Sequence, residues 1–343
     1  MKLLFFDDFK LGALKSDTVI EVSQVVADIP HTGPHNLISG LIERFADYRT
    51  ALEKAIADGK GAPLTKVRVR PPLPKPVNID CMAVNYMEDG TRKEPAPINA
   101  FHKSPGCVIG DGDTMVLPDV PATIFEGEAE LALVIGKRAA NVPAAKAMEY
   151  VFGYLNFIDG SARGLPPSGN TFYQMKSRDT FAPMGPYIVT ADEVKDPHNL
   201  QVRLWVNGTL MQSYNTSDMA HKITRCIEWV SSIHPLEPGD VLAMGTNHRG
   251  LNPFQDSDLV ELETEPLGRL HVKIRDDLKR TWARDAAATA RERTGRPHPA
   301  AYRQARQANG IGTNRSRRST RSNRSIELNG VLELFRSLFP VGS

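Results

Sequence analysis

Short apolar runs alternate with polar, turn-rich stretches over most of the chain. Leu3–Phe6 and Thr18–Val22 read as strands. His35–Asp58 carries a helical spacing of apolar residues at Leu37, Leu41, Ile42, Phe45, Tyr48, Leu52 and Ile56. The stretch RPPLPKP (70–76) reads as a stiff linker, so residues 1–75 are expected to form a small N-terminal α+β domain. Residues 77–280 carry a denser series of strand-length runs. These are Ile79–Val84, Cys107–Ile109, Thr114–Leu117, Ala129–Ile135, Phe152–Ile158, Tyr187–Thr190, Val202–Val206, Val241–Met244, Leu259–Leu262 and Arg269–Ile274. Two helices interrupt them, Ala144–Tyr150 and Asp218–Ile233. The second takes Ser217 or Asp218 as N-cap and has an apolar face of Ile223, Cys226, Ile227 and Val230. Many short strands with few helices predict an α+β, mainly β chain: a mixed β-sandwich or roll with helical additions. There is no βαβ rhythm and no GxGxxG or Walker sequence, which argues against a doubly wound nucleotide-binding fold.

One run breaks its own pattern. Residues 124–136 read IFEGEAELALVIG, with glutamates at every second position ahead of an apolar stretch. Residues i and i+2 of a strand share a face, so Glu128 and Glu130 point the same way. Such a pair often marks a half-exposed strand with solvated carboxylates. Here Leu131–Ile135 is apolar on both faces, which argues for burial instead. Two buried carboxylates side by side repel, so either one takes up a proton or a cation sits between them. An oxygen-only site suits Mg²⁺, Mn²⁺ or Ca²⁺ rather than zinc or copper. A third carboxylate is then needed. Glu126 lies ahead of Gly127, at the edge of the run, and is left without a role. Asp159, closing the run VFGYLNFID, is the better candidate.

Charge is divided unevenly. From Ala283 to Ser343 there are 12 Arg and no Lys against 4 acidic residues, whereas residues 1–282 hold 30 basic and 36 acidic residues. The acidic body argues against a nucleic-acid-binding core. Residues 283–343 are Arg/Ser-rich, lack apolar periodicity and read as a disordered extension, with one short amphipathic pattern over Ile326–Phe339. The arginines permit phosphate contacts, but Tyr302 is the one aromatic among them, so no nucleic-acid partner is expected. Three cysteines without CxxC spacing fit a reducing compartment. The N-terminal apolar run is too short for a signal peptide, and no run has the length of a membrane span, so a cytoplasmic location is expected.

Five stretches taken in order carry a resemblance: GEAELALVIGK, GYLNFIDGSAR, KSRDTFAPMGPYIVT, VNGTLMQSYNTSDM and LEPGDVLAMGT. Over about residues 77–275 the chain resembles the fumarylacetoacetate hydrolase family. The resemblance implies a mainly-β roll, a homodimer, and hydrolysis, decarboxylation or isomerisation of small 2-oxo or β-diketo acids with Mg²⁺ or a similar ion. It implies metal ligands at Glu128, Glu130 and Asp159, a site lysine at Lys176, and substrate contacts at Tyr86, Arg163 and Thr246. A lysine in this position otherwise reads as a surface partner of Asp179. The chain departs from the family in the segment VNYMEDGTRKEP. Asp89 stands where hydrolytic members carry a lid histidine, and Arg92 stands at the usual glutamate position. Asp89 or Glu88 is left as the base. Gly164 and Pro166 replace a family Asp and Gln. After the GT turn come Asn247, His248 and Arg249, where Arg249 is suited to a second acid group of the substrate. His102, in AFHKSPG, is a further histidine that can face the site. C–C bond hydrolysis is therefore expected first. Isomerisation or decarboxylation of a 2-oxo or hydroxymuconate-type diacid comes second, and a catalytically silent metal-binding homologue third.

Overall fold

A computed structural model describes residues 1–167 and 172–284. The extension expected from residue 283, including Ile326–Phe339, lies outside the described residues except for Ala283 and Arg284. Apart from two-residue strands, the β elements are β1 (Lys2–Phe6), β2 (Lys10–Lys15), β3 (Thr18–Glu21), β4 (Ile79–Met82), β5 (Ala100–His102), β6 (Thr114–Val116), β7 (Ile124–Ile135), β8 (Val151–Arg163), β9 (Ala182–Thr190), β10 (Gln201–Val206), β11 (Thr209–Asn215), β12 (Val241–Ala243), β13 (Leu259–Thr264) and β14 (Arg269–Arg275). The α-helices are α1 (Pro34–Glu43), α2 (Phe45–Asp58), α3 (Phe172–Lys176) and α4 (Ile223–Ser231).

The chain is α+β and mainly β, built on two mixed sheets. In the larger sheet the strands run β3-β2-β1-β9-β8-β7-β12-β4-β5, and in the smaller β11-β10-β13-β14-β6. Most neighbours are antiparallel, but β12 with β4 and β14 with β6 are parallel. The first three strands enter the larger sheet because β1 pairs with β9 through Leu3 and Ile188. RPPLPKP does not behave as a free spacer. Pro71, Pro72, Leu73 and Pro76 are buried, and Leu73 joins the second core.

β7 explains why its sequence is apolar on both faces: all twelve residues are buried. Leu131, Leu133 and Ile135 enter one core and Ala132 and Val134 the other, as strand alternation requires. On β8, Tyr154 and Ile158 join the first core, and Leu155 and Phe157 the second.

Several boundaries differ from the sequence reading. β7 starts at Ile124 and includes Glu126 and Gly127. A Cβ at Gly127 would run into the Phe254 ring and come within 2.8 Å of Ile158 Cγ2, so only glycine lets the strand continue there. The helix expected over His35–Asp58 breaks in two at Arg44. The helix expected from Asp218 starts at Ile223 with Lys222 as N-cap, because Thr216–Asp218 forms a separate 3₁₀ turn. Ala144–Tyr150 is 3₁₀ rather than α. Strands β2, β5 and β11 were not anticipated.

Candidate active site

β7 and β8 pair antiparallel with Glu128 directly opposite Asp159. Residues opposite one another share a face, so Glu126, Glu128, Glu130, Asp159, Ser161 and Arg163 all project from one side of the two strands. This is the side that Ala132, Val134, Leu155 and Phe157 give to the second core. Glu128, Glu130 and Asp159 are buried, and each offers an oxygen within 4.8 Å of the others.

Cations counter this charge. Lys176, at the end of α3, donates to Glu128 Oε2 at 3.0 Å and also bonds Asp159. It is not a surface partner of Asp179. Lys103 Nζ, just past β5, lies 2.6 Å from Asp159 Oδ1 and 3.2 Å from the Gly160 carbonyl oxygen, and it bonds the Lys176 carbonyl. Arg163 donates from Nε to Glu126 Oε2 at 2.9 Å and also pairs with Glu128. Glu126 thus acquires a role: it anchors Arg163, whose guanidinium reaches across to the neighbouring carboxylate.

The electrostatics are asymmetric. Burial disfavours the Glu128 charge, but Lys176 and Arg163 outweigh it and hold the carboxyl well below its usual range. Burial raises Glu130 well above that range, and the Asp159 and Glu128 charges push it further. Glu130 receives one hydrogen bond that favours its charge, from the Gly245 amide at 2.9 Å. Burial also works against Lys176, yet Asp159 and Glu128 keep its ammonium above the ordinary lysine value. Four carboxylates therefore face three cations, and Glu130 is the member whose charge its surroundings disfavour most.

The segment after β12 crosses this cluster. Gly245 sits at φ +80°, and a Cβ there would meet the Met82 carbonyl oxygen at 3.0 Å. Thr246 accepts a hydrogen bond from Gln212 Nε2 at 3.0 Å, and the same nitrogen reaches the Asn247 carbonyl at 2.7 Å. Gln212 in turn accepts from the Ala129 amide at 3.1 Å, tying this segment to β7. His248 Nδ1 lies 2.7 Å from Glu88 Oε1, and its backbone amide donates to Glu88 Oε2 at 3.0 Å. Burial lowers the imidazole, but Glu88, and behind it Glu128, raise it above the usual histidine value. Arg249 pairs with Asp89 at 2.7 Å at the surface.

The residues read from the sequence thus fall into groups. Glu128, Glu130, Asp159, Lys176 and Arg163 form one cluster. Glu88 with His248 and Asp89 with Arg249 join the lid segment to the segment after β12. Tyr86 is buried, its ring edge-on to Tyr214 at 5.0 Å. His102 does not face the cluster. Strand alternation turns Phe101 toward Lys176, 5.3 Å from the ring centroid, and sends His102 to the other face, against Asp80. Sequence reasoning missed Lys103 and Gln212. Lys103 follows a short strand and meets a partner 56 residues away, so no local pattern marks it. Gln212 lies in VNGTLMQSYNTSDM, where a bulge interrupts the alternation of β11 and leaves Met211 and Gln212 both buried, so strand periodicity does not mark it.

The donor set suits a divalent ion. Three carboxylates converge in a buried place, oxygen is the sole donor type, and the charges of Asp159 and Glu128 press on Glu130 in a way that a cation between them would relieve.

Residues 79–275 match the family model for the fumarylacetoacetate (FAA) hydrolase C-terminal domain. The maleylpyruvate hydrolase of Aquipseudomonas alcaligenes is 32% identical over 291 residues, covering 80% of this chain and 99% of that protein. A mitochondrial oxaloacetate tautomerase of Bos taurus is 36% identical over 225 residues, covering 62% of this chain and 71% of that protein. Among solved structures, maleylpyruvate hydrolase from Sphingobium sp. SYK-6, in complex with manganese(II) and pyruvate, is similar at a TM-score of 0.73 and 33% identity. It covers 80% of this chain and 99% of that one.

Proposed function

The chain belongs to the fumarylacetoacetate hydrolase family, and on that premise we propose a divalent-metal-dependent hydrolase that cleaves a C–C bond in a small β-diketo or 2-oxo acid of the acylpyruvate class. The observation that carries this reading is the buried convergence of Glu128, Glu130 and Asp159 with Lys176 and Arg163 beside them. The hydrolase among the relatives that spans nearly its whole length supports the reaction type.

Glu128, Glu130 and Asp159 would hold Mg²⁺ or Mn²⁺. A bound divalent ion supplies a Lewis acid for substrate oxygens that gain negative charge as the bond breaks. Lys176, already shared between Glu128 and Asp159, keeps a positive charge at the same spot and offsets the negative charge of the substrate. Arg163 fixes Glu128 from the other side, so the carboxylate keeps its orientation. Thr246, positioned by Gln212, offers its hydroxyl to the substrate carboxylate.

The Glu88–His248 pair takes the place of the missing lid histidine. Hydrogen bonding at Nδ1 fixes the ring and leaves Nε2 as the nitrogen that exchanges protons. His248 Nε2 accepts a proton from the attacking water and returns it to the departing carbon. The same device supports a second reading, a keto–enol or double-bond isomerase acting on a 2-oxo dicarboxylate, which the tautomerase relative favours. Arg249 beside Asp89 then serves the second acid group.

The purified protein should be assayed with an acylpyruvate, with oxaloacetate enol and with a hydroxymuconate-type diacid, with Mn²⁺ or Mg²⁺ and after chelation. Metal-dependent pyruvate release from the acylpyruvate is expected. Turnover of oxaloacetate enol or of the diacid without cleavage of the acylpyruvate would replace hydrolysis by isomerisation. Turnover indifferent to chelation would remove the metal from the reading. A homodimer is part of the same proposal, and light scattering checks it.

A further inference from the structure

A second group of ligating side chains lies on the opposite face of the larger sheet. Asp80 is central in β4 and directly opposite His102 of β5 in the antiparallel register. Its neighbour Cys81 faces the carboxylate cluster, whose Asp159 and Glu130 raise the thiol beyond what burial alone does. Alternation therefore turns Asp80 away from that cluster. His234, three residues beyond α4, completes the group.

The geometry is convergent. His102 Nδ1 lies 3.1 Å and His234 Nε2 lies 3.2 Å from the same oxygen, Asp80 Oδ1. The three ligand atoms lie within 4.8 Å of one another. Metal–ligand bonds near 2.0–2.1 Å give a tetrahedron with an edge of ~3.3 Å, close to these separations. The other oxygen, Asp80 Oδ2, is buried without a hydrogen-bond partner, and Asp80 is 3% exposed. A buried carboxylate oxygen left unpaired has a cost that a cation removes. On the far side of the His234 ring, Nδ1 lies 2.9 Å from the Pro235 carbonyl oxygen. The Nδ1 contact holds the His234 ring with Nε2 aimed at the same carboxylate oxygen that His102 faces, so one ion could meet all three atoms. His102 is 60% exposed at its side chain, which leaves a route in from solvent.

We propose that Asp80, His102 and His234 form a second metal site, for a zinc-class divalent ion, separate from the carboxylate cluster. Two imidazoles and one carboxylate suit zinc and its neighbours, whereas the oxygen-only set suits magnesium or manganese. The fourth position is open to water. The two sites share one stretch of backbone, since His102 belongs to this site and Lys103 bonds Asp159.

The test uses the full chain, stripped by chelation and then equilibrated with Zn²⁺ in excess Mg²⁺. Bound zinc is counted after desalting, and parallel samples carry Co²⁺ for visible absorption. Wild type should retain about one equivalent more zinc per chain than His102→Ala or His234→Ala. Its Co²⁺ form should show the intense bands of low-coordinate cobalt, and both variants should lose them. Circular dichroism melts verify that the variants are folded, and their Mg²⁺-dependent turnover should match wild type. Equal zinc content and equal cobalt spectra in wild type and both folded variants overturn the proposal. So does zinc binding that is lost in Glu130→Ala while both histidine variants keep it.

Discussion

Replacing Lys103 by methionine tests how the buried charges support one another. The methionine nearly preserves volume but removes a cation whose side chain is fully buried, 2.6 Å from Asp159 Oδ1. Three acceptors lose a donor: Asp159, the Gly160 carbonyl and the Lys176 carbonyl. Removing one partner of a buried ion pair costs about 3–5 kcal/mol, because the other charge is left uncompensated. Lys176 still contacts Asp159, so the low end of that range is expected. With an unfolding entropy of about 2.1 cal/mol/K per residue, a folded body of this size shifts by roughly 2 °C per kcal/mol, so a loss of about 3 kcal/mol lowers the melting point by roughly 5–6 °C. Denaturant unfolding of wild type, Lys103→Met, Asp159→Asn and the double variant forms a cycle, run in chelator. If uncompensated charge is the cause, the double variant is less destabilised than the two single losses combined. Repeating the cycle with Mn²⁺ should shrink the Lys103→Met penalty, since the ion takes over part of the compensation. Additive losses, or a single-variant loss below about 1 kcal/mol, would refute the reasoning.

Four further outcomes are expected. Gly127→Ala drives a methyl group into Phe254 and Ile158 and should cost about 1–3 kcal/mol or more, read as a lower denaturant midpoint together with weaker metal binding. Glu88→Gln removes the group that raises His248, so the limb of the kcat profile governed by that imidazole should move to lower pH, with kcat reduced roughly 10²–10⁴-fold. The linkage has a definite sign. A raised histidine contributes stability that is full below its unfolded value and is lost as pH rises through its folded value. The stability gap between wild type and His248→Asn should therefore close toward alkaline pH. Finally, truncation after Arg284 should leave turnover unchanged. A cut at 283 should cost stability, because Arg284 bonds the Pro253 carbonyl at 3.1 Å and pairs with Asp258.

What was legible in the sequence followed the range of the interactions. Strand periodicity located most strands of both sheets, and the same-face logic brought Glu128 and Glu130 together, because both signals are local. Asp159 was reachable because it closes an apolar run. Glu126 was set aside on account of Gly127, read as a break. The glycine is instead what allows the strand to pass Phe254, a contact 127 residues away that no window reveals. Lys103 and the Glu88–His248 pair escaped for a similar reason. Each depends on which chain segments the topology brings together, and His248 and Glu88 stand 160 residues apart. His102, read as a histidine able to face the site, lies on the other face of the sheet, because its parity relative to β4 is fixed by cross-strand register, which sequence alone does not give.

The pairing of Glu128 with Asp159 has a consequence for how such a protein can change. Both residues are locked by one register between two strands buried around them, so a single inserted or deleted residue would reverse the facing of every side chain beyond it. Ion coordination is thereby inherited all or none. The segments holding Glu88, Asp89, His248 and Arg249 meet at the surface end of the site through side-chain bonds and carry no such constraint. Substitutions there are expected to cost folding little. New substrates can then be explored by exchanging loop residues around an unaltered carboxylate centre.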